Sequence, residues 1–417
     1  MSNRESLATG LRCLSCGESF PLDPSLFEGC PACRTEDFQA PLDVMYAYPP
    51  QGEGLLPGAT LPGLARYAPL LPPLVEELSL GEGGTPLVSA PELASWVGLA
   101  EGEIFIKDES RNPTWSHKDR FAYPVVGGAM QLKAPALIAS STGNHGAAAA
   151  AYAAKAGLPC IVLAPLDCSS AVQSFMLAYG AAVLRVSQEA RWTLIAEAVE
   201  RSNWYPASTF TPAPTGPPYG TEGYKTIAYE IWLQLEREVP RAVFVPTGYA
   251  ELLFGVWKGF RELRDLGLAA SAPVVVACEP AARAPLRQAL AEGVSLATVP
   301  PKPTIAYSIA VTINSYRGVV GLQESGGFAV AVTDEEMTEA QAALGRTGLW
   351  AEVSAAASLA GLRRALLGGF ESDGPIVCLS TSSGFKDVGL REASASQVEP
   401  TWDAVEETLM RDYGIVL

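Results

Sequence analysis

Asn112-Pro113-Thr114-Trp115-Ser116-His117-Lys118-Asp119-Arg120 is the stretch on which the reading of the fold turns. It puts a lysine at the start of a helix expected to run to about residue 130, where the positive end of the helix dipole lowers an ammonium pKa. A second run, Ser140-Ser141-Thr142-Gly143-Asn144-His145-Gly146, leads from an apolar strand into an alanine-rich helix. A third, Ser380-Thr381-Ser382-Ser383-Gly384-Phe385-Lys386-Asp387, follows another apolar strand. Together they supply an amine, an anion-binding helix start and a hydroxyl-rich strand end.

Outward from these runs, strands and helices alternate. Strands are expected at 103–107, 136–140, 159–164, 182–186, 242–246, 273–278 and 375–379. Helices are expected at 90–97, 144–156, 170–179, 191–202 and 252–266. Short apolar strands separated by helices of this length imply an α/β fold with parallel-rich sheets covered on both faces. Residues 42–80 are rich in Pro and Gly and read as an extended connector.

The chain has 417 residues, 48% of them hydrophobic, which suits two lobes and a small appendage. A formal net charge of −16 argues against binding along a nucleic-acid backbone. The start, MSNRESLATGLRC, lacks an apolar signal core, and polar residues 140–145 interrupt the charge-free stretch 134–154. A cytoplasmic protein without a membrane span is expected. Four of eight cysteines form Cys13-x2-Cys16 and Cys30-x2-Cys33, a spacing that presents four thiolates to Zn²⁺. Four thiolates close the shell, so such zinc is structural.

The three runs meet the needs of pyridoxal phosphate (PLP) chemistry. Lys118 supplies the amine that holds the cofactor aldehyde as a Schiff base and later acts as base. Free N–H groups at 142–146 suit a substrate α-carboxylate, and Asn144 suits the ring hydroxyl. The Thr381 hydroxyl, at a strand's C-terminal end, suits the pyridine nitrogen. That arrangement favours elimination and replacement over transamination. Both histidines, His117 and His145, lie inside the runs and are expected to shape the pocket.

These residues resemble the fold-type II PLP enzymes (the tryptophan synthase beta superfamily), and within them the threonine synthase-like branch. The pattern KDE…NPTGSFKDR is matched from Lys107-Asp108-Glu109 to Arg120, with Trp115 and His117 replacing Gly and Phe. STGN is Ser141-Thr142-Gly143-Asn144, and TGxGLKD becomes Thr381-Ser382-Ser383-Gly384-Phe385-Lys386-Asp387. Glu222-Gly223-Tyr224-Lys225-Thr226 also matches, and Trp350-Ala351-Glu352-Val353-Ser354-Ala355-Ala356 stands in place of EPSSAA. The resemblance implies a two-lobed fold with PLP in the cleft and an N-terminal zinc ribbon. It divides the chain into a ribbon (1–40), a large PLP domain in two segments (41–121 and 236–417) and a small domain (122–235). It implies Lys118 as catalytic and cofactor-bearing, with Asn144 and Thr381 on the cofactor ring. Ser116, Ser141, Thr142, Gly143, Asn144 and His145 would line the place of the amino-acid substrate. A homodimer of amino-acid metabolism is implied as well.

Two departures bear on function. The phosphate loop, usually GNAGN, reads Gly248-Tyr249-Ala250-Glu251-Leu252. Backbone groups of Thr247, Gly248, Tyr249, Ala250, Glu251 and Leu252 are expected to form the cradle, with the Glu251 side chain facing away. The arginine of NPxRxxGQKT, which holds the phosphate of O-phosphohomoserine in threonine synthases, is replaced by Gly220. The expected function is therefore a PLP-dependent lyase, an ammonia-lyase or β-replacement enzyme acting on an unphosphorylated amino acid. Threonine synthase is the alternative, with Lys107, Ser116, Lys225 or another arginine taking the phosphate. A non-catalytic relative that binds an amino acid or a partner is the third reading.

Overall fold

A computed structural model describes the chain except residues 1–4, 50, 51, 53, 57–62, 100, 101, 167, 169, 388–395 and 417. Near the N-terminus, β1 (Ala8–Cys13), β2 (Ser19–Phe20) and β3 (Leu42–Tyr46) form an antiparallel sheet in the order β2-β1-β3. The segment read as a connector thus begins as a strand of this sheet, and it also holds 3-10 turns at Leu64–Leu70 and Glu76–Leu78. Backbone pairing to β1 ordered what composition alone left extended.

Next come β4 (Leu87–Ser89), α1 (Ala94–Val97), β5 (Ile104–Asp108) and α2 (Lys118–Gln131). The alternation continues with β6 (Leu137–Ser140), α3 (Asn144–Ala156), β7 (Cys160–Pro165), α4 (Ser170–Ala178), β8 (Ala182–Val186), α5 (Ala190–Ser202) and β9 (Tyr205–Pro206). Strands β6 to β9 make a parallel four-stranded sheet in the order β8-β7-β6-β9. Then follow α6 (Gly220–Gln234), β10 (Ala242–Pro246), α7 (Glu251–Asp265), β11 (Val274–Pro280), α8 (Pro285–Glu292), α9 (Tyr316–Ser325), β12 (Phe328–Val332), α10 (Asp334–Arg346), α11 (Val353–Leu367) and β13 (Ile376–Ser380). The larger sheet has the order β12-β11-β10-β13-β5-β4, parallel throughout except the β4–β5 edge.

The period of two along β10 and β13 divides two cores. Val243, Val245, Val377 and Leu379 point to one face, Ala242, Phe244, Ile376 and Cys378 to the other. Helices α2, α6 and α7 cover the first face and α10 and α11 the second. On α7, Gly255 and Gly259 lie one turn apart and let α6 approach; a Cβ on Gly255 would sit 2.8 Å from Thr221 O.

Met1–Lys386 forms one compact unit, and the expected boundary at 121/122 falls inside α2. Asp387–Leu417 forms a second unit, containing α12 (Trp402–Tyr413) capped by Thr401.

Two buried ionic clusters brace the helices under the cleft. In the first, Arg120 donates to Glu109 and Glu230, and Lys107 Nζ donates to Glu230, Gln234 and Thr85 O. In the second, Lys225 and Lys258 share Glu222, with Glu262 and Asp43 completing the set. Lys107 and Lys225 are fully buried in these pairs. Neither is free to take a substrate phosphate, which corrects that part of the alternative reading.

Candidate active site

The turn before α2 is held from both sides. Asp119 accepts hydrogen bonds from Thr114 N and Oγ1, each at 2.7 Å. Burial pushes the Asp119 carboxyl up to about 7, against the opposing pull of those two bonds. Trp115 occupies the left-handed region (φ 62), where the family pattern has glycine. His117 N donates to Thr381 O at 2.9 Å, and Ser383 N donates to Trp115 O at 3.1 Å. The carbonyl of Thr381 also faces His117 Nδ1 at 3.1 Å, so that nitrogen carries the proton. Burial, then the Lys118 charge, hold His117 well below its ordinary pKa. These contacts lock the start of α2 to the end of β13.

Lys118 follows as the first residue of α2. Among the described residues its amine makes no hydrogen bond or ion pair, and it lies 5.6 Å from the centroid of the Tyr224 ring. Burial depresses its pKa; Glu251 is the charge that opposes the effect. Three buried polar atoms nearby on the chain or in space lack any partner: Ser116 Oγ, His145 Nε2 and Tyr224 Oη. His145 sits 5.5 Å from Phe121, and burial with the Lys118 charge lowers its pKa to about 3. Neutral histidines around an unpaired amine agree with pocket-shaping roles.

The turn after β6 is shaped by Ser141, whose Oγ accepts from Gly143 N at 3.0 Å and Gly146 N at 2.7 Å. Thr142, Asn144 and His145 keep backbone N–H groups without a partner among the described residues. Asn144 reaches across to the larger sheet. Its Oδ1 accepts from Lys386 Nζ at 2.8 Å and Ser382 Oγ at 3.2 Å, and its Nδ2 donates to Glu352 at 2.6 Å. Ser308 Oγ donates to the other oxygen of Glu352. Burial lowers Lys386 to about 8, with Glu352 and then Asp119 acting in the opposite sense.

The loop from β10 to α7 lies beside these groups. Thr247 is inward and self-satisfied: its N–H donates to Cys278 O and its hydroxyl to Val245 O. The N–H groups of Gly248, Tyr249, Ala250, Glu251 and Leu252 have no partner among the described residues. Ala250 holds the turn in the left-handed region (φ 59). The Glu251 side chain is turned the opposite way from expectation. Its charge acts on Lys118, Tyr224, Tyr249 and Arg317, and its Oε1 lies 2.5 Å from where a Cβ on Gly216 would stand. The absence of a Cβ on Gly216 opens the inward path.

The runs quoted from the sequence therefore converge in space: Lys118, Ser116, Asn144, His145 and Thr381 form one candidate site, with residues 248–252 adjoining it. The residues fit PLP at the aldehyde end, where Lys118 is unpaired, and at the phosphate end through five free N–H donors. They depart from it at Glu251. Glu352, Lys386, Tyr224 and Phe121 belong to the site without having been singled out. Glu352 and Lys386 lay inside quoted motifs, and only long-range contacts across the cleft reveal their tie to Asn144.

The four cysteines cluster apart from this site. All their sulfurs lie within 4.8 Å of one another, with Cys13–Cys33 at 3.6 Å and Cys16–Cys30 at 3.7 Å. A tetrahedron of thiolates at Zn–S of about 2.3 Å has edges of about 3.8 Å. These separations fit a zinc ion.

Comparison with known proteins agrees with this geometry. The profile of the family described as "Pyridoxal-phosphate dependent enzyme" matches residues 78–382. The threonine synthase of Methanosarcina acetivorans is 33% identical over 388 residues, covering 90% of this chain and 92% of its own. That of Methanocaldococcus jannaschii is 32% identical over 392 residues, covering 90% and 92%. Among solved structures, a threonine deaminase from T.th. superposes with a TM-score of 0.61 at 25% identity, covering 75% of this chain and 94% of its own. A fungal L-serine ammonia-lyase from Rhizomucor miehei superposes at 0.62 with 21% identity, covering 72% and 94%.

Proposed function

Because this chain belongs to the pyridoxal-phosphate dependent enzyme family, and is a PLP-dependent lyase of the threonine synthase-like kind, we propose that its substrate is an unphosphorylated amino acid. The reaction is elimination or replacement at the side chain. One observation carries this reading. Gly220, at the position of the threonine synthase arginine, lies against Phe121, and a Cβ there would stand 2.6 Å from Phe121 Cδ2 with other ring atoms closer still. No arginine side chain can leave the backbone at that point. Arg317 offers no replacement, because it is 1% exposed and its two terminal nitrogens donate to Thr215 O and Leu42 O.

The cofactor, when bound, supplies an aldehyde and an electron-withdrawing ring. The chain's own residues do the rest. Lys118, whose ammonium is made easier to deprotonate by burial, is the group that would take the α-proton. The free N–H groups of Thr142, Asn144 and His145 suit the substrate carboxylate. Neutral His117 and His145 keep added positive charge away from the reacting carbon. Thr381 is the candidate partner of the pyridine nitrogen. The Cys13, Cys16, Cys30 and Cys33 cluster supports a structural zinc ion, and a homodimer is the assembly to test.

The names of the relatives favour a second reading, threonine synthesis from O-phosphohomoserine. Absorbance titration with serine, threonine and O-phosphohomoserine, with assay of 2-oxo acid and phosphate, separates the two. Turnover of serine or threonine to 2-oxo acid and ammonia supports the first. Phosphate release from O-phosphohomoserine with threonine formed would replace it by the second.

A further inference from the structure

We propose that Glu251 is a specificity-determining residue of the cofactor site, placing a carboxylate in the anion cradle so that the phosphate end of the cofactor is held weakly. The inference rests on the PLP reading of the site. Helix α7 is 15 residues long and begins at Glu251, directly after the unpaired N–H groups of Gly248, Tyr249 and Ala250. Such a start attracts anions, and the first anion it meets in this chain is its own side chain.

Several observations place that carboxylate inside. Its Oε1 occupies the space left by the missing Cβ of Gly216, at 2.5 Å from that position. The same position lies 3.9 Å from Arg317 Nη1, so both charges flank one small volume. Helix α9 begins against the loop, since a Cβ on Gly318 would meet Ala250 Cβ at 2.8 Å. The charged and titratable groups facing Glu251 are Lys118 from α2, Tyr224 from α6, Arg317 from α9 and Tyr249 from its own loop. Arg317 Nε is buried without a partner, and no carboxylate lies within ion-pair distance of that guanidinium among the described residues. Glu251 is thus the carboxylate that acts on Lys118 and, ahead of Asp43 and Glu222, on Arg317. A phosphate monoester entering beside those N–H groups is repelled by it. Pyridoxal, which has a hydroxyl in place of the phosphate, meets no such opposition.

The test is an absorbance titration of the full chain, freed of cofactor with hydroxylamine, using PLP and pyridoxal in parallel. Wild type is expected to bind the two within about tenfold of each other. Glu251→Gly and Glu251→Gln are expected to bind PLP at least about tenfold more tightly with pyridoxal unchanged. The glutamine variant keeps the side-chain volume and guards against a loop that collapses without it. A wild type preferring PLP strongly, with no gain in either variant, would overturn the role of Glu251 and leave the cofactor site standing. No imine band from either compound, in wild type or variants, would overturn the cofactor reading as well.

Discussion

Lys386 Nζ donates a 2.8 Å hydrogen bond to Asn144 Oδ1, joining the end of the larger sheet to the first residue of α3 in the smaller one. The same oxygen also accepts from Ser382 Oγ, and the amide is held from its other end by Glu352, so two groups of opposite charge and one hydroxyl set its orientation. Under the proposed function, an asparagine oriented in this way would present a defined edge to the cofactor ring hydroxyl.

Lys386→Met removes one of those three holds. We expect kcat to fall by about tenfold to a hundredfold and the cofactor absorbance band to shift, with little change in Tm. The charge matters as well. Burial lowers Lys386 to about 8 from its ordinary value, so the folded protein releases this proton earlier than the unfolded chain. Between pH 8 and the ordinary lysine range the unfolded state binds more protons, and stability gains from this group as pH rises. Activity should show an alkaline limb near pH 8 that the methionine variant lacks; an unchanged pH–rate profile would exclude the role.

Gly220→Ala forces a methyl group into the ring of Phe121. Overpacking of this kind costs about 1–3 kcal/mol and should lower the denaturant midpoint. The paired change Phe121→Gly with Gly220→Arg opens the space and restores a cation. Isothermal titration with O-phosphohomoserine should then show binding at least about tenfold tighter than wild type.

Arg120→Met leaves Glu109 and Glu230 buried without their shared cation. Removing one partner of a buried pair costs about 3–5 kcal/mol. Urea unfolding should report a loss of that order, and a loss below about 1 kcal/mol would mean that the cluster contributes little to stability.

Removing metal from the four cysteines should also act at a distance. Tyr219, next to Gly220 at the start of α6, packs in the same apolar cluster as Cys13 and Cys30. Elemental analysis is expected to find about one zinc per chain, and Cys13→Ser should release it. The Tm should fall on zinc loss, and the start of α6 should exchange amide hydrogens faster.

Much of the architecture was legible in the chain itself. The alternation of short apolar strands with helices dictated a parallel α/β fold, since buried strands must be apolar on both faces. Strands at 137–140, 182–186 and 242–246 follow that pattern within a residue. Residues 203–241 and 279–374 carried fewer expected elements than they form. Helices α6 and α11 are buried almost all round, so neither shows a polar face by which an amphipathic period can be recognised.

Of the candidate site, the sequence by itself determined that Lys118 starts α2, that the turn at Ser141–Asn144 leads into α3 and that hydroxyls follow β13, because each depends on a local run and a helix or strand end. Tertiary structure alone decided which way Glu251 points, that Phe121 fills the space at Gly220, and that Lys386 and Glu352 grip Asn144. Those are contacts between segments far apart in the chain. Side-chain direction there is set by the volume and charge that other elements bring, which no local pattern encodes.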